Sequence, residues 1–84
     1  MTTILYFAWV REATGTGEER VDIPATIATL SQLIDWLSEK SARHAAALRD
    51  RDRLRFAVDQ RFVGLDHPVA MAREIAVFPP VTGG

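Results

Sequence analysis

The sequence contains no cysteine. That excludes disulfides, a zinc–thiolate site and a cysteine nucleophile. A dominant charge is missing too: 10 Lys and Arg against 11 Asp and Glu leave a net charge of -1. No general electrostatic attraction for nucleic acid is therefore expected. No apolar run approaches the ~20 residues of a membrane span. Met1-Thr2-Thr3-Ile4 lacks the basic start and cleavage pattern of a signal peptide. These absences point to a cytoplasmic protein that uses neither nucleic acid nor a membrane. Only two histidines occur, His44 and His67. His67 could in principle serve as a base or a metal ligand, but no nucleophile is paired with either histidine, and no metal site is expected.

What is present suits one small globular domain. The chain has 84 residues, 48% of them apolar and 25% charged. A domain of this size buries only about 60–65% of the surface its unfolded chain exposes. There are no repeats and no low-complexity stretch. Ile4 to Val10 has strand composition, uninterrupted by charge. Ile4, Tyr6, Ala8 and Val10 would share one face, and Leu5, Phe7 and Trp9 the other. Two apolar faces predict a central strand. Arg11 to Glu19, marked by Thr14-Gly15-Thr16-Gly17, is expected to be a hairpin connection. The glycines lack the lysine and hydroxyl of a phosphate loop. A short return strand, Arg20 to Ile23, should then stop at Pro24.

Next comes an amphipathic helix. Ile27, Leu30, Leu33, Ile34 and Leu37 recur at spacings of three and four, with Thr26 as the expected N-cap. A second short helix is expected over 41–48, with Ala45 to Leu48 against the core. Arg49-Asp50-Arg51-Asp52-Arg53 alternates in sign and suits a solvated turn. Leu54, Phe56 and Val58 alternate as a half-buried strand. Arg61 to Leu65 is a further strand, Asp66-His67-Pro68 a turn, and Glu74 to Phe78 the last strand. Ile75 and Val77 face one way there, and Ala76 and Phe78 the other. One main helix can cover only one face of such a sheet. Some apolar surface should remain for a partner, unless Phe7 and Trp9 pack under the second helix.

After Phe78 the sequence reads Pro79-Pro80-Val81-Thr82-Gly83-Gly84. Two prolines are stiff and extended. Two glycines carry no side chains and could enter a narrow channel. The stretch is either a frayed end or a delivery tail, mobile when free and ordered in a complex.

Four segments together decide between these. They are Phe7-Ala8-Trp9-Val10-Arg11-Glu12, Val58-Asp59-Gln60 with Phe62-Val63, Asp66-His67-Pro68, and Val77 to Gly84. They resemble the F-A-x-x-R-E, V-N-Q…V, D-H-P and F-P-P-V-(S/T)-G-G segments of the molybdopterin synthase small-subunit family, which are ubiquitin-like β-grasp sulfur carriers. The resemblance spans the chain. It implies an α+β, ubiquitin-like β-grasp fold: a mixed sheet of four to five strands packed on one main helix, with a protruding Gly-Gly tail. Residues 1–78 would form the body and 79–84 the tail.

The resemblance also implies a function. Gly84 would be adenylated by a ubiquitin-activating-like adenylyltransferase that uses ATP and Mg²⁺. A sulfur donor enzyme would then convert it to a thiocarboxylate. The tail would enter the large synthase subunit and pass sulfur to cyclic pyranopterin monophosphate. Two small subunits would flank a large-subunit dimer as a heterotetramer. The chain alone would be non-catalytic and hold no permanent cofactor. Gly83 would give backbone access. Phe7, Phe62 and Phe78 would dock, with Pro79, Pro80, Val81 and Thr82 leading into the partner. Arg11 matches a family position near that interface. Asp59 stands where Asn is frequent, residues 70–74 replace an acidic, Gly-containing turn, and Trp9 replaces a residue that is often polar. Rival readings are a carrier for thiamine or cysteine biosynthesis, a ubiquitin-type modifier, and a plain interaction module.

Overall fold

Strand-forming residues from the two ends of the chain meet at the middle of one sheet. The structure is a computed structural model and describes residues 1–80. Its strands are β1 (Thr2–Tyr6), β2 (Glu18–Val21), β3 (Arg55–Val58), β4 (Arg61–Val63) and β5 (Glu74–Phe78). Their order is β2-β1-β5-β3-β4. The β1–β5 pair is parallel, and the other pairs are antiparallel. Three helices accompany the sheet: α1 (Ala8–Thr14), α2 (Leu30–Ser38) and α3 (Ala42–Ala47). This is the expected mixed α+β architecture, with β1 flanked on both sides and β5 at the centre.

The core lies on one face of the sheet. Ile4 and Tyr6 of β1, Phe56 and Val58 of β3, and Ile75 and Val77 of β5 are buried there. Against them α2 presents Leu30, Leu33, Ile34 and Leu37, each fully buried. The stripe expected from spacing is therefore the core stripe. The helix starts later than expected, because Thr29 rather than Thr26 caps it. Thr29 Oγ1 accepts the Gln32 amide N–H, and Gln32 Oε1 accepts the Thr29 N–H. This reciprocal pair satisfies two amides that helix geometry leaves free. Ile27 precedes the helix as a half-buried residue.

The largest departure from expectation is at residues 7–14. The strand stops at Tyr6, and Ala8–Thr14 is helical. An uncharged apolar run cannot by itself distinguish strand from helix. Here the burial of Val10 and Thr14 follows helical spacing. Gly15 has φ +85° and donates its N–H to the Arg11 carbonyl. The Gly-containing stretch is thus a left-handed helix stop rather than a hairpin turn. Arg43 from α3 donates to the Ala13 and Glu12 carbonyls. A cation thereby meets the negative end of α1. β2 accordingly begins at Glu18 and ends at Val21.

Smaller corrections follow the same logic. In α3, Ala47 and the following Leu48 are buried, while Ala45 and Ala46 are exposed. Leu54 is buried just before β3, and β4 ends at Val63, before Gly64. The β3–β4 hairpin turns on Asp59 and Gln60, both at positive φ. A two-residue turn of that kind matches the twist of the strands. Asp59 Oδ1 also accepts the Arg73 and Glu74 N–H groups. The carboxylate thus ties the hairpin to the start of β5.

A polar chain locks β2 to α3. Glu19 Oε2 accepts from the Tyr6 hydroxyl at 2.7 Å and lies 2.7 Å from His44 Nε2. His44 Nδ1 is 2.8 Å from Ser41 Oγ, and Lys40 Nζ is 3.8 Å from Glu19 Oε1. Burial alone would raise the Glu19 pKa. The hydrogen bonds from His44 and Tyr6, with the His44 and Lys40 charges, outweigh burial and hold it below its usual value. Burial first, then the hydrogen bond and charge of Glu19, push the Tyr6 phenol far above its usual range.

Two tests follow from this packing. Leu33→Ala should destabilise the fold by ~2–5 kcal/mol, read as a lower urea midpoint; an unchanged midpoint contradicts the core assignment. Glu19 is held deprotonated more firmly folded than unfolded. Its contribution is therefore complete above its ordinary pKa of 4.5 and is lost as pH falls through the lower folded value. Urea midpoints should drop as the pH falls from 4.5 toward the lower folded value, and Glu19→Gln should flatten the drop. An equal acid slope in both proteins removes Glu19 from the account.

Candidate functional site

The other face of the sheet is the more open one: Leu5, Ala76 and Phe78 are half-buried there and Phe62 is exposed. Strand registers define what lies there. One row runs Glu18, Leu5, Ala76, Ala57, Phe62 across all five strands. The small side chains of Ala76 and Ala57 make a low floor. Beyond that row Phe78 sits opposite Arg55, and Phe7 follows the end of β1. The Phe7 N–H donates to the Val77 carbonyl at 3.1 Å, which extends the β1–β5 pairing past the strand.

Three phenylalanines from distant parts of the sequence meet on this face. The Phe7 and Phe78 ring centroids are 6.5 Å apart, at an interplanar angle of 78°. Those of Phe62 and Phe78 are 5.6 Å apart, at 51°. Both geometries lie in the favourable tilted range for aromatic pairs. Phe62 is 81% exposed and Phe7 47% exposed. Phe78 is half-buried between them and is the last residue of β5. Trp9 is also exposed, on α1, so neither it nor Phe7 is packed away beneath α3.

Ala8 follows Phe7 at φ +53°. Left-handed backbone costs a residue with a Cβ about 1–2 kcal/mol. That local cost accompanies the turn from β1 into α1, which leaves Phe7 on the open face. Arg11 lies over Gly17: a Cβ added there would stand 3.0 Å from Arg11 Nε. Together with Leu5, Phe7 and Glu18 these residues line a shallow cleft of about 530 Å³.

A deeper apolar cleft of about 410 Å³ opens at the end of the sheet where β5 stops. Leu54, Phe62, Gly64, Leu65 and Phe78 line it, with Arg51 and Arg55 among its walls. Sequence reading did not single out Leu54, Gly64, Leu65 or the arginines. They lie within or close to β3 and β4 and meet only in the folded chain, and no local motif signals them.

Of the residues expected to form the tail, Pro79 and Pro80 are half-buried beyond β5. Val81, Thr82, Gly83 and Gly84 lie outside the described residues, and β5 ends at Phe78, the last residue of the expected body. His67 serves the backbone of its turn: its N–H donates to Gly64, and its carbonyl accepts from Leu30. His44 does have a hydroxyl neighbour, contrary to the reading from sequence. That hydroxyl, Ser41 Oγ, accepts the His44 backbone N–H as the N-cap of α3. It is committed to a helix cap, in a lock that holds β2. Among the described residues no group of three His, Asp or Glu side chains could hold a metal ion. Among them, too, no helix is long and apolar enough to cross a membrane. What this face offers is the apolar surface of three phenylalanine rings in mutual contact.

Comparison with known proteins agrees with this geometry. The ThiS family profile matches residues 4–84. The molybdopterin synthase sulfur carrier subunit of Escherichia coli K12 is 42% identical over 84 residues, covering all of both chains. Among solved structures, a protein from Pyrococcus furiosus described as a molybdopterin converting factor, subunit 1, superposes with a TM-score of 0.76. It is 27% identical over 95% of this chain and 97% of its own. Small archaeal modifier protein 1 of Haloferax volcanii has the same fold, with a TM-score of 0.73, 27% identity, and coverage of 95% and 97%. Sequence and fold thus agree over essentially the whole chain, which belongs to the ThiS family and is a full-length relative of a molybdopterin synthase sulfur carrier subunit.

Proposed function

We propose that the protein is the sulfur-carrier subunit of a cytoplasmic molybdopterin synthase, with the carboxylate of Gly84 as its working group. One observation carries the reading: Phe78 belongs to the exposed aromatic face and is also the residue from which the Pro-Pro-Val-Thr-Gly-Gly segment departs. Docking and delivery are then one structural unit. The full-length relationship to the Escherichia coli carrier subunit supports the pathway.

The chemistry asks little of the body. A carboxylate is a poor electrophile at neutral pH. An adenylyltransferase with ATP and Mg²⁺ joins it to AMP and releases pyrophosphate. A sulfur nucleophile supplied by a donor enzyme then displaces AMP and leaves a thiocarboxylate. Inside the large subunit, in a heterotetramer of two small and two large chains, that sulfur passes to cyclic pyranopterin monophosphate. Gly83 and Gly84 lack side chains that would obstruct a narrow channel. The folded body raises the effective concentration of the terminus at the partner's active site. Residues 79–84 act as the delivery tail, and Phe7, Phe62 and Phe78 act as the docking anchors.

A second reading, a protein modifier joined to lysine through the same terminus, draws on the likeness to the archaeal modifier. Mass spectrometry after incubation with ATP, the adenylyltransferase and a sulfur donor separates the two. A carrier exchanges one terminal oxygen for sulfur, whereas a modifier appears as a conjugate. Deleting Gly84 should abolish molybdopterin formation in the reconstituted synthase while leaving the thermal melt unchanged. Normal product from the deletion sinks the carrier reading. Phe78→Ala should weaken binding to the large subunit at least tenfold, since truncating a buried interface aromatic often costs ~2 kcal/mol or more. An unchanged dissociation constant in calorimetry rejects this face as the docking surface.

A further inference from the structure

The cleft beside the aromatic triangle has features that the docking of three phenylalanines does not require. It is walled by Leu54, Leu65 and Phe56 as well as by Phe62 and Phe78. Its volume of about 410 Å³ falls in the range of sites that enclose a bound group. Gly64 lines it without adding a side chain. Val63 pairs with Phe56, and continuing that antiparallel register by one residue brings Gly64 beside Arg55. A Cβ at Gly64 would meet only Asp66 Oδ1, at 3.3 Å. Gly64 is not among the positive-φ glycines. The glycine is thus not held there by a positive φ, and at this point the cleft is lined by backbone alone.

Charge at the rim is uneven. The Arg51 guanidinium is engaged by Asp35 and by the hydroxyl and carbonyl of Ser31. Arg55 donates only to the carbonyls of Asp52 and Leu54. Among the described residues it forms no ion pair with a carboxylate. An unneutralised guanidinium at the mouth of an apolar cleft suits an anionic neighbour to a buried apolar group. Phe62 and Phe78 belong to both the cleft and the aromatic face, so a partner lying on that face reaches the cleft without a gap.

We infer that this cleft is an anchor site for the large subunit: it receives one apolar side chain from a segment whose adjacent carboxylate pairs with Arg55. The assignment rests on the carrier reading above and adds a selective contact to it. Aromatic packing alone distinguishes partners poorly. A filled cleft beside a matched charge rejects partners that lack either element.

The test is calorimetry of the full chain with the purified large subunit, at low and high salt. Gly64→Val, which adds a branched side chain to the cleft lining, should raise Kd at least ~tenfold. Arg55→Glu should raise it at least ~tenfold at low salt and remove most of the salt dependence. Arg55→Lys should restore part of the affinity. Unchanged circular dichroism and thermal melts establish that each variant folds. Should Gly64→Val fail to fold, Gly64→Ala and the arginine pair carry the test. Wild-type binding that Gly64→Val and Arg55→Glu both retain within ~twofold overturns the anchor site and leaves the carrier reading standing. No binding by the wild-type chain overturns both. A dimer of the chain alone that Gly64→Val dissolves, seen by sedimentation, assigns the cleft to a second copy and overturns the inference.

Discussion

Parallel pairing of β1 with β5 is the constraint on which the rest depends. It joins residues about seventy positions apart, with Thr3 beside Glu74 and Tyr6 beside Val77. Closing so long a loop has an entropic cost that local contacts do not offset. The offset comes from Ile4, Tyr6, Ile75 and Val77, all fully buried beneath α2. Once that pair is formed, the two-faced geometry of a strand does the remainder. Alternate residues go to the core, and Leu5, Ala76 and Phe78 are left on the far side. The exposed aromatic face is in this sense a by-product of core formation. The same pairing that buries Val77 places Phe78 beside Phe7.

The polar lock complements this apolar closure at the other end of the sheet. β2 is an edge strand of four residues, with one buried side chain, Val21. Its inward carboxylate, Glu19, gathers Tyr6, His44 and Lys40. Arg43 ties α3 in turn to α1. Helix α3 is therefore held by directional bonds as much as by its one buried residue, Ala47, and the Leu48 that follows it. A short, Ala-rich helix needs such help, because its apolar area is small.

How legible this was in the sequence depended on the range of the interaction. The α2 stripe and the β5 alternation were legible because both follow one element's own period. Phe62 and Phe78 were placed on the docking surface by resemblance, and parity supported only Phe78. The α1 helix was not legible, because Ala8-Trp9-Val10 continues an apolar run and its stop signal, Gly15, also suits a hairpin. Thr26 and Thr29 are equally good capping residues; the Gln32 side chain, three residues after Thr29, decided between them. The cleft at Gly64 was invisible, since it exists only between strands. No local pattern encodes that Gly64 lies beside Arg55.

The position of β5 has a mechanical consequence. The segment after Phe78 leaves the central strand, which pairs with β1 on one side and β3 on the other. A pull along that segment acts parallel to the strand and perpendicular to both ladders of hydrogen bonds. Such a load shears all of the bonds together, whereas a load on an edge strand can peel them one at a time. A force applied at Phe78 along β5 is therefore shared by the ladders to β1 and β3. An end attached to β2 or β4 would transmit the same force to a few bonds and unravel first.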